Sequence, residues 1–257
     1  MECLSEWSWI FSEGVGKAYG KKVSSVDTFK SAAPFFYFTD IKEHTGKTYR
    51  PENQNQKIYD IDFNPKEEWG GEWTPPPYKE HYSKGWYKTN DKDIIVINNK
   101  YNEEWLSPPV NYLSLDFISK FISLFSDKYQ IYYIRYNGEG EGYYDDAPTY
   151  EFNDYCCTIW GDVITIYDFM KKYDIGYNEA QLIIMSQAKH IVTVNGGNAV
   201  LSSYFGEDVM IYGNDNCEST NRGIWKTGSW LKELSGANII GHLNEKELLM
   251  DCEKRWL

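Results

Sequence analysis

From residue 91 onward the chain alternates short β-branched runs with segments of helical period, and that alternation predicts the elements of an α/β domain. Asp93–Asn98, read Asp-Ile-Ile-Val-Ile-Asn, is an apolar run between polar ends, the pattern of a strand buried on both faces. Leu115, Ile118, Phe121, Ile122 and Phe125 recur at spacings of three and four, which predicts an amphipathic helix over 115–125 with Ser114 as N-cap. A second apolar run, Gln130–Arg135, completes the order strand, helix, strand and implies a right-handed crossover between parallel strands. The same reading places strands at 163–166, 191–194, 209–212 and 238–240, helices at 178–189 and 199–205, and a terminal helix from 245 to about 255. The expected fold is α/β, a Rossmann-like open parallel sheet with helices on both faces.

Residues 1–90 have a different texture. Trp7, Trp9, Trp69, Trp73 and Trp86 are scattered among Gly, Pro, Lys and Glu, and Pro75, Pro76 and Pro77 remove three successive backbone donors. Ala32–Phe38 is the one apolar run there that could form a strand. The division is therefore an aromatic-rich, largely irregular N-terminal segment, 1–90, ahead of a Rossmann-like domain, 91–257. Aromatics at 17% and hydrophobics at 42% exclude disorder over most of the length, because such a chain can bury enough apolar surface to fold. A net charge of −12 repels a phosphate backbone, so nucleic acid is not an expected partner. No run approaches the ~20 apolar residues of a membrane span, and Glu2 and Glu6 stand where a signal peptide would be basic. Five cysteines, two of them adjacent at Cys156-Cys157, fit neither a disulfide framework nor a zinc knuckle. Reduced thiols and a cytoplasmic location are expected.

The sharpest chemical signal is a strand ending in Asn195-Gly196-Gly197-Asn198 with a helix opening at once. The glycines would let a phosphate or carboxylate approach the backbone, while Asn195 or Asn198 could contact a sugar hydroxyl or cap the helix. The plainer alternative is a tight turn with an asparagine cap. Arg135, one of only four arginines, falls at the carboxyl end of the second strand, where open α/β sheets bind ligands and a guanidinium suits a diphosphate. Its alternative is an ion pair with the acidic loop that follows. Asn98, Asn99 and Lys100 hold the matching place after the first strand, which makes Asn98 and Lys100 donor-site candidates, and Arg222 follows the strand ending at Tyr212. Asp145-Asp146 could pair on a divalent metal but lacks a third ligand at a defined spacing, so it reads as an acidic surface loop. The four histidines have no metal-ligand spacing. Gly138-Glu139-Gly140-Glu141-Gly142 is wrong in spacing and charge for a dinucleotide fingerprint, and no Gly-x-Ser-x-Gly elbow or Walker loop is present. Neither NAD nor any other cofactor is expected.

Over Gln181–Tyr212, read QLIIMSQAKHIVTVNGGNAVLSSYFGEDVMIY, the chain resembles the C-terminal, donor-binding half of GT-B-type glycosyltransferases. There a helix leads into a strand, a glycine turn opens a helix against the donor's phosphates, and another strand follows. The strand at Asn238–Ile240 and the helix after Asn244 resemble the end of that half, so the likeness covers roughly 91–257. It implies transfer of a sugar from a nucleotide-sugar donor to a glycan, glycoconjugate or other hydroxyl acceptor, without a bound metal. The donor would be held by Asn98, Lys100, Arg135, Asn195, Gly196, Gly197, Asn198 and Arg222. Two departures matter: 90 residues are too few for a second Rossmann domain of ordinary size, so the acceptor side is reduced or absent, and the paired glutamates of many retaining enzymes are not recognisable around Glu207–Glu218. The second departure tilts the reading toward inversion, which needs a base for the acceptor hydroxyl; Asp40 and His44 are the residues named for it. The alternative is a non-catalytic glycan-binding or assembly protein on the same fold.

Overall fold

A computed structural model describes residues 78–84, 91–103, 108–138, 149–159, 162–205, 207–214 and 236–257. In chain order the elements are α1 (Tyr78–Tyr82), β1 (Asp93–Asn98), α2 (Leu115–Phe125), β2 (Tyr129–Ile134), α3 (Tyr155–Thr158), β3 (Val163–Thr165), α4 (Ile166–Tyr173), α5 (Tyr177–Ser186), β4 (Ala188–Val194), α6 (Gly197–Ser203), β5 (Asp208–Tyr212), β6 (Asn238–His242) and α7 (Glu245–Trp256). The strands form one sheet in the order β3-β2-β1-β4-β5-β6, every neighbouring pair parallel. This is the expected Rossmann-like open sheet.

Both faces are covered, which is why the central strands are nearly continuous apolar runs. Ile94, Val96, Tyr132, Ile134, Ile191, Val209 and Ile211 point to a core shared with α1, α4, α5 and α6. Ile95, Ile97, Ile131, Tyr133, Val192, Val194 and Met210 point to the other, shared with α2, α3 and α7. Ser114 caps α2 as the sequence predicts, its side chain accepting from Phe117 N at 3.2 Å, and the helix buries Phe117, Ile118, Phe121, Ile122 and Phe125. The terminal helix is tied at both ends. Glu245 accepts from Ser114 N and Oγ at 2.6 Å each, and the Trp256 carbonyl accepts from Tyr129 Oη at 2.7 Å and Lys128 Nζ at 2.8 Å.

Several boundaries differ from the sequence expectation. Ile166 opens α4 instead of closing β3, because Thr165 and Asp168 form a reciprocal capping box that starts a helix there. The helix expected over 178–189 stops at Ser186, since Ala188 pairs with Ile94 and begins β4. Tyr78 and Tyr82, read as part of the irregular segment, lie on α1 in the sheet's own core, with Tyr78 stacked on Phe205 at 5.4 Å. The proposed strand at 32–38 lies outside the described residues. No helix among the described residues is long and apolar enough to cross a membrane.

Candidate functional site

Strand order reverses between β1 and β4: the chain leaves β1 toward β2 and β3 on one side, then returns to build β4, β5 and β6 on the other. The connections that leave the two adjacent strands therefore diverge, opening a crevice at their carboxyl ends, where ligands of open α/β sheets bind. Asn98, Asn99 and Lys100 leave β1 at this point, and Asn195 and Gly196 leave β4 beside them.

Gly196 has φ 113° and ψ −152°, a conformation open essentially to glycine alone. A Cβ placed there would lie 3.1 Å from Lys100 Nζ, so the ammonium rests directly against the glycine backbone. Of the two glycines, Gly196 carries the conformational requirement, whereas Gly197 is the first residue of α6. Asn198 reaches back across the crevice, its Nδ2 donating to Asn98 Oδ1 at 3.2 Å and to the Asn99 carbonyl at 3.4 Å. Asn195 is buried, and its backbone N–H donates to the Tyr212 carbonyl at 2.7 Å, extending the β4–β5 ladder rather than facing a ligand.

Beneath the crevice lie two polar atoms without hydrogen-bond partners among the described residues, Asn98 Nδ2 and Thr193 Oγ1. The two residues are register neighbours on β1 and β4 and are 2% and 0% exposed. Buried polar groups left unpaired are few in native structures, and they mark places that water or a ligand completes.

Arg135 lies immediately beyond β2 and is committed elsewhere. Its Nε donates to Asp154 Oδ2 and its Nη2 to Asp154 Oδ1 at 2.8 Å, both side chains being almost fully buried. Nη1 donates to the Tyr136 carbonyl at 3.2 Å and Nη2 also to that of Phe152 at 3.3 Å. Tyr133 Oη donates to Asp154 Oδ2 at 2.6 Å, and Asn99 Nδ2 donates to Tyr133 Oη at 3.2 Å. Asn99 also clamps Leu113, with Leu113 N donating to Oδ1 at 2.9 Å and Asn99 Nδ2 donating to the Leu113 carbonyl at 3.2 Å. Burial and the adjacent Asp154 carboxylate push the Tyr133 phenol well above its ordinary pKa, so it stays a neutral donor. Burial alone would lower the Arg135 pKa; pairing with Asp154 outweighs it and the net direction is upward. This network ties the loops after β1 and β2 together and occupies the guanidinium that the sequence reading assigned to a diphosphate. The ion-pair alternative is the one whose geometry is present, with Asp154 as partner.

No family model, curated protein or solved structure matches the chain. Of the residues named from sequence, Asn98, Lys100, Asn195, Gly196, Gly197 and Asn198 converge on the β1–β4 crevice, while Arg135 joins the Asp154 network. Asp40, His44, Arg222, Asp145 and Asp146 lie outside the described residues. Thr193, Tyr133 and Asp154 were not singled out from sequence. Thr193 carried a signal, a hydroxyl inside the apolar run Ile191–Val194, whereas Asp154 is one acid among many in an acidic stretch.

Proposed function

We propose that the chain binds the diphosphate of a nucleotide-sugar at the β1–β4 crevice and transfers the sugar to a hydroxyl of a glycan or glycoconjugate acceptor. The observation that carries the reading is the Lys100 ammonium held against Gly196 at the point where the strand order reverses. A phosphate oxygen entering there meets a cation and a backbone with no side chain between them, and the same cation stabilises the charge that develops as the nucleoside diphosphate leaves. Asn98 Nδ2 is the amide donor there without a partner among the described residues, and Asn198, whose Nδ2 already serves Asn98 Oδ1 and the Asn99 carbonyl, keeps its Oδ1 to accept from a sugar hydroxyl. Arg135 takes no part in this version, because its donors already serve Asp154.

The acceptor hydroxyl must lose a proton as it attacks the anomeric carbon, and Asp40 and His44 are proposed for that step. A thermal-shift panel of nucleoside diphosphates, nucleotide-sugars and free oligosaccharides tests the reading, since a ligand that binds only the folded chain raises its stability by ~2.7 kcal/mol at a hundredfold excess over Kd. The expected result is a shift with nucleotides, followed by release of free nucleoside diphosphate when acceptors are added. A shift with oligosaccharides alone would overturn it in favour of the non-catalytic glycan-binding alternative.

A further inference from the structure

On α3 two cysteines adjacent in sequence bring their sulfurs together. Cys156 Sγ and Cys157 Sγ are 3.8 Å apart; Cys156 is exposed and Cys157 is buried. Neither sulfur is merely packing. Cys156 Sγ donates to the Asn153 carbonyl at 2.9 Å, while Cys157 Sγ accepts from Ser119 Oγ at 3.2 Å and donates to the Leu115 carbonyl at 3.6 Å. Burial raises the Cys157 thiol above its ordinary pKa and the Ser119 hydroxyl offsets only part of that, so Cys157 meets a soft centre as a thiol and gives up its proton on binding.

The separation discriminates between two uses of such a pair. A disulfide needs sulfurs about 2.05 Å apart, so they would have to close by roughly 1.7 Å within a single helical turn. A single centre bonded to both thiolates at about 2.3 Å with an angle of about 100–110° spans ~3.5–3.8 Å, close to the separation already present. Among the described residues no group of three His, Cys, Asp or Glu surrounds a common point, so the pair supplies two ligands and suits a centre with two open positions.

We infer that Cys156 and Cys157 form a bidentate dithiol site for a soft, thiophilic centre with two open positions, of which an organic trivalent arsenical is the representative probe. The step balances without oxidation. An arsenoxide, R–As=O, exchanges its As=O bond and two S–H bonds for two As–S bonds, the oxygen leaves with both protons as water, and arsenic stays trivalent.

The test incubates the full chain with one equivalent of phenylarsine oxide and follows the intact mass, then challenges the adduct with excess glutathione and separately with a dithiol. The expected product is one phenylarsenic group per chain with loss of one water, stable to glutathione and released by the dithiol. Two-point attachment should make it about 10²–10⁴-fold more resistant to the monothiol than a single thiol adduct. Cys156→Ser removes an exposed sulfur and should abolish that resistance without unfolding the chain, and Cys157→Ser should do the same. Cys3→Ser, Cys217→Ser and Cys252→Ser should retain it. Glutathione-stable capture surviving in Cys156→Ser, or release from the parent protein by glutathione alone, would overturn the assignment.

Discussion

Removing the Asp154 carboxylate should destabilise the fold severely, and the network around it gives the size of the effect. In Asp154→Ala the Arg135 guanidinium, 8% exposed, keeps the carbonyls of Tyr136 and Phe152 and the Phe152 ring but no counter-charge among the described residues, and the Tyr133 hydroxyl loses its acceptor. Leaving one partner of a buried ion pair uncompensated costs about 3–5 kcal/mol. At about 2–4 °C per kcal/mol for a domain of this size, the melting temperature should fall by roughly 6–20 °C. Asp154→Asn keeps the shape and one acceptor and should lose less. Arg135→Met should cost about as much as Asp154→Ala, but the double variant should cost less than the two singles together, because each single change alone strands a charge or a hydrogen-bonding group. Urea unfolding followed by tryptophan fluorescence measures all four. A loss under about 1 kcal/mol for Asp154→Ala would mean that Arg135 does not depend on Asp154, and would return Arg135 to the candidates for holding a phosphate.

Three further expectations follow from the geometry. Gly196→Ala should cost about 1–3 kcal/mol of stability, since alanine must adopt a glycine-only conformation, and the Cβ should also push against Lys100; an unchanged urea midpoint would refute the strain. Trp256→Ala should cost about 3–5 kcal/mol, because the indole is 3% exposed, stacks on His190 at 4.5 Å and packs against Phe121 and Phe125; calorimetric melting checks it, and a loss below about 1 kcal/mol would contradict it. Acid should weaken the fold before the carboxylates titrate. Burial lowers the pKa of His190 and of His242, outweighing Asp208 and Asp251 respectively, so the unfolded chain takes up protons more readily than the folded one as pH falls through about 6.5. The urea midpoint should therefore drop between pH 7 and pH 5, and less so in a His190→Gln, His242→Gln double variant; a midpoint that rises over that range would contradict the buried-neutral state.

The sheet was legible because its central strands are buried on both faces. Asp93–Asn98 and Val209–Tyr212 read as strands without any tertiary knowledge, and the order of strands and helices was enough for a parallel sheet. What failed was local competition. The apolar period of α5 runs on through Ala188, and only pairing with Ile94 turns that residue into a strand. The start of α4 was written in Thr165 and Asp168, but Val163–Ile166 is a β-branched run and masked the capping box. Arg135 shows the limit at the site. Its position at a strand's carboxyl end was readable, yet its partner stands 19 residues on, past the point where Asn102 bridges Thr149. The glycine pair, by contrast, announced its turn directly; the backbone angles decide which of the two is indispensable.

The claim that the β1–β4 crevice holds a diphosphate rests on Lys100, whose ammonium lies against Gly196. Isothermal titration of the nucleoside diphosphate selected by the thermal-shift panel into the parent protein, Lys100→Met and an exposed control, Lys172→Met, tests it most directly. Loss of a charge-assisted contact worth about 1.5–3 kcal/mol should weaken binding about 10- to 150-fold in Lys100→Met. The control should bind like the parent. Equal affinity in Lys100→Met and the parent would place the diphosphate elsewhere and contradict the account.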